Sequence, residues 1–148
     1  MPYRLHLLTI LFVVSWLIGC TQPKPATLEV TNAWIRPVDA SLGIAGALYL
    51  TISNNTLAPI TLLGAKTAIA NPVELHQSTM TNNIMRMRPV DAFHIASGAQ
   101  LSFAPGGNHL MLKNLSSSLL PGDSLAFTLQ FDQHAPVKAY ALVQWEKP

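Results

Sequence analysis

Between residues 125 and 131 the chain reads Leu-Ala-Phe-Thr-Leu-Gln-Phe, so Leu125, Phe127, Leu129 and Phe131 recur at every second position. A period of two puts all four large apolar side chains on one face of an extended strand and leaves Ala126, Thr128 and Gln130 on the other. Shorter runs of the same kind, rich in Val, Ile, Leu, Thr and aromatics, recur along the chain between Gly, Pro, Asn and Asp punctuation. They predict strands near 28–35, 45–54, 60–66, 73–78, 84–88, 100–103, 109–115, 125–131 and 137–145. No segment sustains a helical period, and eleven prolines argue against long helices. Many short strands and frequent turns imply an all-β, Greek-key sandwich or barrel, with no internal repeat and no second domain.

The start of the chain has a different character. Arg4 precedes an apolar run from Leu5 to Leu17, followed by Leu17-Ile18-Gly19-Cys20. A charged beginning, a short hydrophobic stretch and a small residue before the cut form a secretory signal layout, and the run is short for a permanent membrane span. The last four residues have the form of a bacterial lipobox, which would make Cys20 lipidated and the first mature residue. The reading is therefore a signal peptide at 1–19, a lipidated cysteine with a proline-bearing tether at 20–27, and one domain at 28–148. The protein is expected in the bacterial cell envelope, held to a membrane by lipid and facing the periplasm.

Charge narrows the partners. Beyond residue 19 there are eight Lys and Arg against seven Asp and Glu, a net charge of +1. Nucleic acid binding needs clustered cations, and none are clustered here. Cys20 is the only cysteine, so a folded domain that begins after it has no thiol, disulfide or redox pair. A blue-copper electron-transfer site, which requires a cysteine thiolate, is excluded.

Beyond the initiator, every methionine (Met80, Met85, Met87 and Met111) lies within the window from His76 to Met111, with three of the five histidines. Imidazole nitrogen and thioether sulfur without thiolate form the ligand set of a soft monovalent copper site. Zinc takes Cys, His or carboxylate, and neither HExxH nor paired CxxC occurs; calcium or magnesium needs an oxygen cluster that is absent. On a strand, His109 and Met111 share one face, about 6 to 7 Å apart at their Cα atoms, while Leu110 and Leu112 share the other. Pro105-Gly106-Gly107-Asn108 reads as a turn that presents this pair near a strand end. His76 and Met87 would come from other strands. On donor types alone the alternative stays open: a methionine on a strand is commonly core filler, and a lone histidine commonly sits at the surface.

The order His76, ten residues, Met87, twenty-one residues, His109, one residue, Met111 resembles the motif of the periplasmic PCu(A)C copper chaperones. Further segments resemble the same family: Ala33-Trp34-Ile35-Arg36-Pro37, Gly46 to Asn54, Val73 to His76, and Met85 to Pro89. The resemblance spans nearly the whole mature chain. It implies a cupredoxin-like β-sandwich that binds one Cu(I) through His76, Met87, His109 and Met111. It also implies delivery of that copper toward cytochrome c oxidase, directly or through another chaperone. The chain closes on Trp145 to Pro148 without the His- and Met-rich tail of some relatives, so a second tail site is not implied.

Met80 is a possible auxiliary ligand, and Met85 fits packing better than ligation. His94 and His134 match no ligand position and read as surface residues. Trp34, Tyr49, Phe103, Phe127, Phe131 and Trp145 read as core or strand-face aromatics. No GxSxG, cysteine nucleophile or paired acid and base occurs at motif spacing, so an enzyme is not expected. Two other readings remain: an Ig-like envelope lipoprotein that binds a protein partner, and a copper buffer without a delivery partner. A monomer is expected.

Overall fold

Ten strands build the domain in the computed structural model, which describes residues 26–146. The expected signal peptide and lipidated Cys20 lie outside the described residues. In chain order the strands are β1 (Leu28–Ile35), β2 (Gly46–Asn54), β3 (Ile60–Lys66), β4 (Val73–Thr81) and β5 (Ile84–Pro89). They continue as β6 (Phe93–Ile95), β7 (Gln100–Phe103), β8 (Asn108–Leu112), β9 (Ser124–Asp132) and β10 (Val137–Val143). The expected all-β sandwich is borne out, and the helical content among the described residues is one 3-10 turn at Ala40–Leu42. Nine of the strands lie where the sequence placed them; β6, three residues long, was not expected.

The strands run in the order β5-β4-β8-β2-β1-β10-β9-β3-β6. The edge of β2 that meets β8 at Gly46–Leu48 continues against β7 at Leu50–Ser53, so β7 and β8 share that edge end to end. A parallel pairing of β1 with β10 at Trp34 and Ile35 joins the half containing β4 and β8 to the half containing β9 and β3.

Alternation decides what fills the interior. In β9, Leu125, Phe127, Leu129 and Phe131 are buried, as their spacing predicts. Ile35, Leu48, Leu50, Leu75, Leu110 and Leu112 join the same core. In β1 the phase changes: the pairing with β2 shifts between Thr31 and Trp34, and Asn32 adopts a left-handed φ of 51°. This bulge lets Leu28 and Val30 before it and Ile35 after it all pack against the core. It also sends Trp34 to the opposite face, where its ring lies 4.7 Å from that of Tyr49. Both aromatics are buried but stand outside the core cluster. Trp145 departs from expectation, being 67% exposed two residues beyond the end of β10.

Asn54 closes the opposite end of β2. Fully buried, it donates through Nδ2 to the carbonyls of Ala58, Ile95 and Ala96, and its Oδ1 accepts from the backbone and hydroxyl of Thr56. One side chain thereby ties the loop after β2 to the end of β6.

Candidate metal centre

The site is assembled by β4, β5 and β8, which lie side by side at one end of the strand order. The register of β4 with β8 sets His76 directly opposite His109 and Glu74 opposite Met111. The register of β4 with β5 sets Ser78 opposite Met87 and Met80 opposite Met85. Directly opposed residues share a face. His76, His109, Met87 and Met111 therefore stand on one side of this sheet, and Leu75, Leu110 and Leu112 fill the core on the other. The four residues picked out by sequence spacing come together on three neighbouring strands.

Both histidines are buried, His76 at 7% and His109 at 4% exposure, and their ring centroids are 5.5 Å apart. Each ring is held through one nitrogen. His76 Nε2 donates to Glu74 Oε2 at 2.9 Å, and His109 Nδ1 donates to the Gly107 carbonyl at 3.1 Å. Carboxylate and carbonyl oxygens only accept, so the protons sit on those two nitrogens. The lone pairs are left on His76 Nδ1 and His109 Nε2, which are buried and without a hydrogen-bond partner. Two buried lone pairs, each on a ring whose other nitrogen is tied to an oxygen, match the arrangement by which proteins orient imidazoles toward a metal.

The surroundings favour neutral rings at His109. Burial pushes its pKa below the ordinary imidazole value, the bond to Gly107 opposes this, and the neighbouring His76 adds to the lowering. Glu74 is held below the usual carboxylate range, first by its hydrogen bond to Lys113 and then by that to His76. Lys113 Nζ lies 2.8 Å from Glu74 Oε2, so the anion that orients His76 is itself anchored.

The thioethers are more open. Met111 is half-buried on β8, whereas Met87 is 51% exposed on β5, an edge strand with all six residues exposed. The face thus combines two buried imidazoles with a solvent-facing methionine. Neutral nitrogen and thioether donors suit a soft, singly charged ion. Among the described residues, no group of three His, Cys, Asp or Glu forms a harder alternative.

The glycine turn is present as expected. Gly107 N–H bonds to Ala104 O, and Ser78 N–H bonds to Gly107 O, which fastens the turn to β4. Gly106 has a φ of +79°, a conformation that glycine adopts without strain.

A model of the LpqE-like family, described as "Putative lipoprotein LpqE-like", matches residues 28–143. The chain belongs to the LpqE-like family. A relative of this LpqE-like chain in Leifsonia xyli subsp. xyli, named "Putative lipoprotein Lxx21020", is 26% identical over 134 residues, covering 83% of this chain and 79% of its own. Among solved structures, the copper-bound PCuAC domain from PmoF2 superposes with a TM-score of 0.66 at 24% identity, covering 79% of this chain and 92% of that one. The solution structure of CuI-DR1885 from Deinococcus radiodurans gives a TM-score of 0.58 at 27% identity over 85% of this chain and 83% of that one. The PCu(A)C resemblance and the cupredoxin-like sandwich read from the sequence are both borne out.

The remaining candidates of the LpqE-like chain fall elsewhere. Met80 is two side-chain steps beyond His76 on β4, about 13 Å along a strand, so β4 does not bring it to the imidazoles. Met85, read as a packing residue, is 53% exposed and lies outside the core, with its methyl end near Gly106. His94 is exposed and bonds the Thr61 hydroxyl at 3.0 Å, and His134 bonds the Ala135 carbonyl at 2.7 Å, both remote in the strand order. Glu74 was missed by reading donors alone. Its signal was available: two residues before His76 on one strand, it shares that residue's face.

Proposed function

We propose that this LpqE-like domain is an envelope copper carrier. It holds one Cu(I) through His76 Nδ1, His109 Nε2 and the thioethers of Met87 and Met111. The observation that carries the reading is the pair of buried, partnerless imidazole nitrogens on one face. A buried polar atom without a partner is costly, and natural structures keep few of them without a use. Two solved structures that share the fold are of copper-bound domains, which agrees with copper as the ion.

The asymmetry of the site fits transfer. The imidazoles form a fixed floor, while exposed Met87 is placed where an incoming donor reaches the metal before the outgoing ligands leave. Transfer by ligand exchange needs no change in oxidation state and no proton at sulfur, because thioethers do not titrate. The lipoprotein naming of the family and of its relative supports anchorage through Cys20 in the bacterial envelope. The recipient in this reading is a copper centre of cytochrome c oxidase, reached directly or through a second chaperone. No catalytic step is required of the domain, and it works as a monomer.

The test is competition with a Cu(I) chelator. Wild type should bind one Cu(I) tightly, and His109→Ala/Met111→Ala should lose that binding with an unchanged β circular dichroism spectrum. Equal affinity in the two proteins would overturn the assignment. Loss of oxidase activity on deletion, restored by added copper, would mark delivery as the role.

A further inference from the structure

The hairpin of β4 and β5 extends well past the site and carries two methionines that neither the core nor the four-donor centre uses. Its turn is tight: Thr81 pairs with Ile84, and Asn82 and Asn83 between them both have left-handed φ, 51° and 61°, as a two-residue hairpin turn requires. Just inside the turn Met80 and Met85 are directly opposed, and both are exposed, at 62% and 53%. With Met87, also about half exposed and on the same face, the hairpin carries a sulfur-rich strip.

Three geometric facts orient this pair. Directly opposed residues hold their Cβ atoms about 4.5–5.5 Å apart, a span over which two flexible thioethers close on one ion. The pair stands on the same face as Ser78 and Met87, and so on the face of His76 and His109. Met85 Cε lies 3.8 Å from where a Cβ on Gly106 would sit, so its thioether arm lies over the turn that leads into β8 and His109. The next methionine inward, Met87, is one side-chain step along β5, about 7 Å.

We infer that Met80 and Met85 form a second, weaker Cu(I) site, a two-thioether landing site from which the ion passes to Met87 and on to the imidazoles. The inference rests on the copper reading above. The passage is a ligand exchange: the bond from Cu(I) to the Met80 sulfur breaks as a bond to the Met87 sulfur forms. The ion stays monovalent, and no proton or electron moves. Two neutral thioethers bind a soft monovalent ion more weakly than a set including two fixed imidazoles, so the gradient runs inward.

The experiment uses the full chain with its methionine methyl groups labelled with carbon-13, titrated with Cu(I) and, in parallel, with redox-inert Ag(I). In His76→Ala/His109→Ala the Met80 and Met85 methyl resonances should shift together and saturate at one ion, and Met80→Leu in that background should abolish the Met85 shift. In an otherwise wild-type chain, Met80→Leu/Met85→Leu should leave equilibrium affinity unchanged and slow loading from a Cu(I) complex about tenfold. Unmoved Met80 and Met85 methyls, or a loading rate equal to wild type, would overturn the inference while leaving the four-donor centre intact. Wild-type affinity in His76→Ala/His109→Ala would instead overturn the four-donor centre. Leucine at these exposed positions removes sulfur with little effect on folding.

Discussion

His76 and His109 are a directly opposed cross-strand pair, and each commits one ring nitrogen to an oxygen of its own strand or turn while the other stays buried and unbonded. Two unbonded ring nitrogens in the interior are a cost to the fold.

That expense is measurable. An unpaired buried polar atom costs about 1–3 kcal/mol. In His109→Leu the Gly107 carbonyl keeps its bond from Ser78 N–H, so the substitution leaves no new orphan. We expect the copper-free variant to be more stable than wild type by about 1 kcal/mol in urea unfolding, with Cu(I) binding lost. A large destabilisation would mean that the ring is there to fill the core.

In the proposed centre Glu74 would act on the ion through His76. Removing an outer partner of a metal-bound histidine typically weakens metal affinity about 10–100-fold. Glu74→Ala should do so, while the loss of the acceptor for buried His76 Nε2 should lower the unfolding free energy by about 1–3 kcal/mol. Chelator competition and urea unfolding on the same sample separate the two effects.

Acid should act late on this site. His109 has a pKa below the ordinary 6.5, so the folded state disfavours its protonation relative to the unfolded chain. Its favourable contribution is complete above 6.5 and is lost as pH falls from there through the lowered folded value. Stability of the copper-free protein should hold steady near neutrality and begin to fall below 6.5, whereas the His109 contribution to Cu(I) affinity should fall only once pH reaches the lowered folded value. Proton NMR of the His109 ring should give a midpoint below 6.5; a midpoint above it contradicts the burial argument.

Away from the site, Asn54→Ala removes five hydrogen bonds at one buried position. With the Ile95 carbonyl among the groups left unpaired in the interior, the expected loss is about 3 kcal/mol by urea unfolding. Copper affinity should be unaffected, because Asn54 lies at the end of β2 away from the segment that pairs β8.

Much of this was legible in one dimension because alternation is a local property. Leu125 to Phe131 announces its buried face, and His109 to Leu112 separates donors from leucines, without knowledge of any partner strand. What needed three dimensions depends on neighbours far along the chain. The burial of His76 and His109 comes from strand pairing, and β6 exists because Phe93–Ile95 pairs β3. Asn54 looks like an ordinary turn residue until the carbonyls of Ile95 and Ala96 arrive beside it. The bulge at Asn32 is equally silent, since left-handed asparagine is visible only in the backbone.

The leucines of β8 have a role that their position behind the donors conceals. A slip of one residue in that strand would turn Leu110 and Leu112 out to water and His109 and Met111 into the interior. Oil and water therefore hold the register, and no ion is needed to bring the four proposed donors to one face. In zinc fingers the metal supplies the folding energy, and the empty protein collapses. Here the shape belongs to the hydrocarbon beneath the strand, so the proposed carrier would keep its form when its cargo leaves.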